Sequence, residues 1–285
     1  MAIKDIFLPL GGEPDAATIA AIDKCVAMAG NLGTRVTAMA VEHDSLVRPT
    51  IMISDDLENT ASTEVLRSVS NAHDLLTAFD TAATRFGVRN ERWLLRYAAA
   101  DIPANFAMWA RLKDLSLVPV KPHDDQSEKI VERLIFGSGR PILMCPEESA
   151  AELSASFDDV MIAWDHTAPA ARAVADALPI LQSAASVHII TATDNKAPEQ
   201  LASGAALASH LAEHGIEAEF ETVRIDGSSV GKVFEAYVDA NAIDLLIMGG
   251  LSSLPAERNG VGWRDQDRYR AATVLGSYVA LAPRT

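Results

Sequence analysis

The feature that most constrains the fold is an internal repeat. The apolar run from Ile6 to Gly11 aligns with the run from Val160 to Asp165, an offset of 154 positions (160 − 6), and each leads into alanine-rich sequence. A short, almost wholly apolar run is typical of a strand buried on both faces of a parallel sheet. The order strand, helix, strand, helix, strand, helix, strand follows in both halves. The repeat therefore predicts an α/β protein of two tandem, doubly wound, Rossmann-like parallel-sheet domains.

The correspondence continues through the later elements. Gly87 and Gly215 each stand at the end of a predicted helix and ahead of a third strand, as expected for residues that end helices. Asp114 and Asp244 each precede an apolar fourth strand. In the tail the repeat is lost, and Tyr278 to Leu281 predicts either a last edge strand or irregular structure.

The same alignment suggests domain boundaries. We expect a first domain over residues 1–147 and a second over residues 158–285. The polar, acidic stretch from Pro146 to Asp159 is the expected linker, since it is rich in small residues. The first half also carries an insert from His43 to about Ser70, which leads into a predicted helix up to Arg85.

Composition excludes several classes of protein. Of the 285 residues, 49% are hydrophobic and 22% charged, an ordinary soluble balance, and no apolar run approaches the roughly 20 residues of a membrane-spanning helix. The net charge of −15 disfavours nucleic-acid binding, which depends on cationic contacts to phosphates.

Cys25 and Cys145 lie in apolar sequence and are expected in the core. The first residues lack the features of a signal peptide, so we expect a cytoplasmic protein without nucleic-acid or membrane partners.

Candidate ligand-binding residues follow the strand ends, because ligands of open parallel sheets bind outside the carboxyl ends of the strands. In the second half Asp165 follows the first strand, and Gly249 with Gly250 follows the fourth. Glycines let the backbone approach a phosphate, and a carboxylate accepts hydrogen bonds from an adenine amino group or a ribose hydroxyl. The structural alternative is that Asp165 caps the next helix, for which Thr167 is also a predicted N-cap, and that the glycines form a turn. Spacing alone favours this structural alternative.

Other polar residues are weaker candidates for catalysis or metal binding: His166, the pair His210 and His214, the run His123-Asp124-Asp125, and Glu147-Glu148. We interpret them as solvated or capping residues, because none has the spacing of a catalytic or metal-binding motif. The sequence pattern also pairs no general base with a nucleophile. We therefore expect no enzyme activity.

Three segments together resemble the universal stress protein family in its tandem, two-domain bacterial form: VMIAWDHTAPAARAVADALP, DLLIMGG and KIVERLIFGSGRPILMCP. The similarity covers residues 3–147 and 158–250. Many members of that family bind ATP through an aspartate after the first strand and a glycine motif after the fourth. The resemblance implies an adenine-nucleotide site in the second domain, formed by Asp165, Gly249, Gly250, Ser252 and Gly262.

The sequence departs from the family motif in both halves. In the second half, Ser252 stands where the family has a second glycine, and Trp263 follows Gly262 in place of serine or threonine. In the first half, Gly11 replaces the aspartate, and Pro119, which has no N–H for a phosphate, aligns with Gly249. Only Gly137-Ser138 matches the motif there. Gly139-Arg140-Pro141 follow this pair so closely that the helix usually found after the motif is expected to be lost.

These observations predict a non-catalytic, cytoplasmic stress-response protein with a weak or vestigial ATP site in its second domain. The alternative is an interaction or assembly module that binds no nucleotide and pairs through an apolar strand such as Ile142 to Met144. A nucleotide hydrolase on the same fold is a third hypothesis. We expect the two domains to pair within one chain as a pseudo-dimer, and homodimer formation stays open.

Overall fold

The structure, a computed structural model, describes residues 2–43, 55–147, 154–194, 198–249 and 278–281. In the first half, strands and helices alternate up to a closing strand. The elements are β1 (Asp5–Leu10), α1 (Ala16–Asn31), β2 (Arg35–His43), α2 (Asp55–Phe86), β3 (Arg89–Tyr97), α3 (Ile102–Ala110, after a 3-10 turn at Ala99–Asp101), β4 (Leu115–Val120), α4 (Asp125–Ser138) and β5 (Ile142–Pro146).

The second half repeats this order up to its fourth strand. These are β6 (Asp159–Ala163), α5 (Ala168–Leu181), β7 (Ser186–Thr193), α6 (Pro198–Glu213), β8 (Glu219–Arg224), α7 (Val230–Ala240), β9 (Leu245–Met248) and β10 (Tyr278–Leu281). The predicted repeat and the doubly wound α/β fold are thus confirmed. The helix expected to end near Arg85 is α2, whereas residues 44–54 of the predicted insert lie outside the described part of the chain.

The ten strands of the described part of the chain form one sheet in the order β3-β2-β1-β4-β5-β10-β9-β6-β7-β8. Within each half β1 to β5 and β6 to β9 are parallel, while β10 runs parallel to β5 and antiparallel to β9. The strands of the two halves therefore run in opposite directions. As a result, their carboxyl ends, where ligands of parallel sheets bind, lie at opposite edges of the sheet.

Two expectations about strand pairing are corrected by this order. Tyr278 to Leu281 does form a strand, but it is an inner strand between β5 and β9 and not the edge. Ile142 to Met144 is likewise no free pairing surface, because β5 pairs with β4 on one side and with β10 on the other. The outer strands of the sheet are β3 and β8.

Helices cover both faces of the sheet. Apolar side chains of α1, α2, α5 and α6 form one buried cluster with inward-facing strand residues, and those of α3, α4 and α7 form the other. Cys25 and Cys145 are buried, as expected of core residues. None of the described helices combines the length and apolarity needed to cross a membrane.

The repeat extends to individual hydrogen bonds. The carboxylate of Asp114 accepts from two backbone N–H groups at the start of β1, at 2.9 and 3.1 Å. Asp244 accepts in the same way from two N–H groups at the start of β6, at 3.1 and 3.2 Å. Gly87 and Gly215 have φ values of 65° and 75°, the left-handed conformation that ends a helix. The sequence repeat pairs each of these residues with its counterpart in the other half.

Candidate functional site

Asp165 lies two residues beyond β6, at the carboxyl edge of the second half. It is partly buried, and its Oδ1 accepts from Thr167 through the backbone N–H at 3.0 Å and the hydroxyl at 2.6 Å. Thr167 in turn caps α5 by accepting from the N–H of Ala170 at 3.3 Å. The predicted N-cap is therefore confirmed, and Asp165 holds the capping residue in place.

Gly249 lies directly beyond β9, the strand next to β6. The two strands are in register, with Ala163 opposite Met248, so the chain leaves both strands at the same crevice. The chain continues from β6 towards β7 on one side, while β9 lies on the other side. This reversal of direction makes the crevice a topological switch point, where open α/β sheets bind ligands.

Close packing explains why position 249 is a glycine. A Cβ atom there would lie 2.1 Å from the backbone nitrogen of Ala170 and 2.4 Å from the carbonyl carbon of Pro169. The end of β9 therefore touches the first turn of α5. Gly250, Ser252 and Gly262, the other predicted ligand-binding residues, lie outside the described residues, and their role stays a prediction.

The equivalent positions of the first half carry different residues. Ile6 pairs with Leu115 as Val160 pairs with Leu245, and this register places Pro119 at the position of Gly249. Pro119 lies inside β4, opposite Cys145 of β5. Since proline has no N–H, the backbone at this position has no hydrogen to donate to a phosphate.

The expected motif fragment Gly137-Ser138 has a different role from the one predicted. No helix follows the pair before β5 begins at Ile142, as expected; α4 precedes it instead, and Gly137 and Ser138 are its last two residues. A Cβ atom on Gly137 would lie 3.3 Å from the methyl group of Ala107, so this glycine allows α4 to pack against α3. The pair stands just before β5 begins, at the amino end of that strand and away from the carboxyl end of β4 where a phosphate would bind.

Two adjoining clefts of about 350 Å³ and 210 Å³ flank the turn Gly11-Gly12-Glu13 at the carboxyl edge of the first half. One extends towards β2 and α2, and the other towards β4, α4 and β5. Among the described residues, two cationic side chains line them, and both are already paired: Arg67 with Glu13, and Lys121 with Asp15 at 2.7 Å. Together with Pro119, this pairing makes the first half a poor site for a polyphosphate.

The second of these clefts contains a buried carboxyl group that the sequence did not indicate. Glu147 was expected to be solvated at the start of the linker, but it is only 6% exposed. Its N–H donates to the carbonyl of Val120 at 2.9 Å, which extends the β5 ladder by one residue and turns the side chain inwards. Thr18 donates to Oε2 at 3.0 Å. Burial raises the pKa of Glu147.

The pKa of Asp15, at the start of α1, is shifted in the opposite direction. Asp15 caps α1 by accepting from the N–H of Thr18 at 2.9 Å, and its second oxygen accepts from Lys121. The Lys121 hydrogen bond, with that of the Thr18 N–H, lowers the pKa of Asp15 to about 2. Asp15 therefore stays ionised where Glu147, across Thr18, is shifted towards its neutral form.

The remaining polar candidates occupy turns and helix ends. His166 is exposed and has a φ of 65°, and Asp124 caps α4 by accepting from the N–H of Ser127 at 2.7 Å. The rings of His210, on α6, and His214, just beyond it, pack edge to face with 4.9 Å between their centroids. Within the described ranges, no three His, Cys, Asp or Glu side chains are grouped so as to hold a metal ion.

Strand order, register and the switch-point crevice define a doubly wound α/β protein. A universal stress protein from Archaeoglobus fulgidus DSM 4304 has this fold, with 98% of this chain and 96% of that chain aligned, a TM-score of 0.63 and 14% identity. A protein from Pseudomonas aeruginosa UCBPP-PA14, assigned to the universal stress proteins, aligns over 99% and 94% with a TM-score of 0.50 and 13% identity. The chain therefore has the tandem universal stress protein fold.

No protein-family model matches the chain, and no curated protein sequence matches it either. The resemblance to the universal stress proteins is confirmed for the fold alone, because the two structures above are less than 15% identical to this chain.

Proposed function

We propose that the protein is a cytoplasmic stress-response protein that binds an adenine nucleotide in its second half and performs no catalysis at that crevice. In this proposal the chain consists of two units, residues 1–147 and 158–285. The observation that carries it is the meeting of Asp165 and Gly249 at one switch point, where the first half has Gly11 and Pro119.

Asp165 would select the base or the ribose. Both hydrogen bonds from Thr167 go to Oδ1, which leaves the acceptor capacity of Oδ2 for an adenine amino group or a ribose hydroxyl. The N-terminus of α5 begins within three residues of Asp165, and the positive end of a helix favours an anionic group nearby. ATP is the expected ligand, with Gly250, Ser252 and Gly262 as further contacts of its phosphates.

Calorimetric titration with ATP, ADP and AMP tests the proposal. For a dissociation constant on the order of 100 μM, 10 mM nucleotide would also raise the free energy of unfolding by about 2.7 kcal/mol. Asp165→Asn keeps an oxygen for Thr167 but removes the charge. Since a hydrogen bond to a charged group contributes about 1.5–3 kcal/mol, this change should weaken binding at least tenfold.

Asp239→Asn is the matched control, because Asp239 is an exposed residue of α7 and its replacement changes the net charge by the same amount. Equal affinity in wild type and Asp165→Asn would exclude Asp165 from the site. No heat and no rise in the free energy of unfolding with any of the three nucleotides would exclude adenine-nucleotide binding. Equal affinity for ATP and AMP would show that the residues after Gly249 do not bind the β- and γ-phosphates.

The first half favours a second candidate function, an interaction module without a nucleotide. Arg67 and Lys121, which line its clefts, are paired, and Pro119 interrupts the expected phosphate cradle. If this function describes the whole chain, nucleotides give no heat, and the outer strands β3 and β8 carry the association. Light scattering over a concentration series tests it: a strict monomer that binds nucleotide would reject the interaction module.

A further inference from the structure

Four polar side chains form a hydrogen-bonded chain on the outer part of the second half. Ser186 and His188 lie two residues apart on β7, so they point to the same face of the sheet, and Ser186 Oγ lies 2.8 Å from His188 Nε2. His188 Nδ1 lies 3.3 Å from the hydroxyl of Tyr237 on α7. That hydroxyl donates to Glu221 Oε2 on β8 at 3.3 Å. Three elements thus align a hydroxyl, an imidazole, a phenol and a carboxylate.

The carboxylate at one end fixes the direction of every hydrogen bond. An ionised carboxylate only accepts, so the single hydroxyl hydrogen of Tyr237 is used on Glu221. The phenol oxygen then accepts from Nδ1–H of His188, which leaves Nε2 as the unprotonated nitrogen of the neutral ring. Ser186 therefore donates its hydroxyl hydrogen to Nε2. This is the tautomer that a general base needs if it is to deprotonate a serine.

The surroundings support the same assignment. Burial and the charge of Glu221 raise the pKa of Tyr237, so the phenol keeps its proton at neutral pH. The edge of the Tyr237 ring packs on the imidazole with 6.0 Å between ring centroids. In the sheet, His188 stands between Met161 and Glu219. The titratable groups that face the imidazole are therefore Tyr237 and Glu219, with Glu221 beyond the phenol.

Ser186 is accessible and stands apart from the nucleotide crevice. It is the first residue of β7 and is partly exposed, and its N–H is held by the carbonyl of Asp158 at 2.9 Å. It lies at the amino edge of the second half, whereas Asp165 lies at the carboxyl edge. A ligand at one site therefore does not occupy the other.

We propose that Ser186 is a nucleophile, with His188 as its general base, that reacts with activated esters of small acyl groups. Oγ attacks the acyl carbon while its proton passes to Nε2. The acyl–oxygen bond to the leaving alcohol breaks, and that alcohol takes the proton from His188. Water, deprotonated by the same nitrogen, then hydrolyses the acyl-serine to the acid and restores the hydroxyl. Tyr237 and Glu221 are positioning residues, since they act through His188.

A fluorophosphonate probe tests the nucleophile directly, because the serine oxygen displaces fluoride and keeps the phosphonyl group. Mass spectrometry of the intact chain and of its peptides should locate the added mass on Ser186. General-base assistance contributes roughly 10²- to 10⁴-fold to such reactions, so His188→Gln should slow labelling at least about 100-fold. Ser186→Ala should abolish it. p-Nitrophenyl acetate hydrolysis gives the corresponding rate for an acyl ester.

Matched controls separate this chemistry from a structural role. Ser183→Ala removes a nearby hydroxyl that donates to a helix carbonyl, and His210→Gln removes a histidine exposed on α6; both should label at the wild-type rate. In Tyr237→Phe the His188 ring loses the oxygen that accepts from its Nδ1–H, so labelling should slow and the pH profile of its rate should change. Absence of labelling on wild-type Ser186, or an unchanged rate in His188→Gln, would overturn the proposal, even if the same variants lower the melting temperature.

Discussion

Asp244→Ala is expected to destabilise the protein more than Asp114→Ala, although the two aspartates occupy equivalent positions in the repeat. The carboxylate of Asp244 accepts from two backbone N–H groups at the start of β6, at 3.1 and 3.2 Å, and the residue is 1% exposed. Asp114 makes the same pair of bonds at the start of β1, but it is only partly buried. Water can therefore replace the lost acceptor at one site and not at the other.

The magnitude follows from the bonds that are lost. A hydrogen bond to a charged group contributes about 1.5–3 kcal/mol, and each donor left unsatisfied in the interior adds a desolvation cost. Two such donors give a loss of about 3–5 kcal/mol for Asp244→Ala. At the wetter Asp114 site, we expect about 1–2 kcal/mol because solvent satisfies the same donors.

Urea unfolding followed by circular dichroism and tryptophan fluorescence measures both losses. Asp244→Asn is the informative companion, because the amide oxygen still accepts from the two N–H groups and only the charge is removed. Its loss should be about half that of the alanine variant. Equal losses for Asp244→Ala and Asp114→Ala, or a loss below about 1 kcal/mol for Asp244→Ala, would refute the reasoning that burial sets the difference.

Three further substitutions test the packing and electrostatics of the fold. Burial raises the pKa of Glu147 above its usual 4.5, so the contribution of this carboxyl group to stability is full below pH 4.5 and is lost as pH rises through the raised pKa. Glu147→Gln should remove this pH dependence in urea unfolding between pH 4 and 7. An unchanged slope of unfolding free energy against pH would contradict the prediction. Lys113 is 4% exposed and donates to Asp5 and Thr37, so Lys113→Met should lower the free energy of unfolding by about 1–3 kcal/mol. This loss is smaller than that of breaking a fully buried ion pair, because Arg35 still binds Asp5. An unchanged free energy of unfolding in chemical denaturation would refute this. A Cβ on Gly204 would lie 2.1 Å from the Phe220 ring, so Gly204→Ala should cost about 1–3 kcal/mol, and a double-mutant cycle with Phe220→Ala should recover most of that loss.

Most of the fold could be predicted from sequence because its signals are local. Buried parallel strands are continuous apolar runs, and the repeat supplies each element of one half with a partner in the other. The N-cap at Thr167 and the helix ends at Gly87 and Gly215 follow from residue chemistry within a few positions. The place of β10 could not be predicted, because it depends on the free edges of β5 and β9, which are 99 or more positions apart (245 − 146).

The candidate site shows more clearly what could not be predicted from the sequence. Sequence indicated Asp165 and Gly249, and both reach one crevice, but it could not distinguish a glycine that admits a phosphate from one that admits the backbone of Ala170. Glu147 was misjudged because nothing in the sequence shows that β5 pairing extends beyond Pro146. The pair Ser186 and His188 was overlooked although its spacing of two on a strand is a usable signal. Its partners come from β8 and α7, and only the fold brings them together.

The halves of this chain are joined through β10, and that arrangement predicts what removal of the strand does. β10 has three register pairs with β5 and four with β9. A chain that ends at Ser277 would lose both ladders and expose two apolar strand edges, at a cost of about 3–10 kcal/mol if about one hydrogen bond is lost for each register pair and each contributes about 0.5–1.5 kcal/mol. Exposed edges pair with other chains, so light scattering should show association for this variant. A chain that ends at Leu281 keeps β10 and is the control. If the shorter chain stays monomeric with an unchanged melting temperature, β10 does not join the halves.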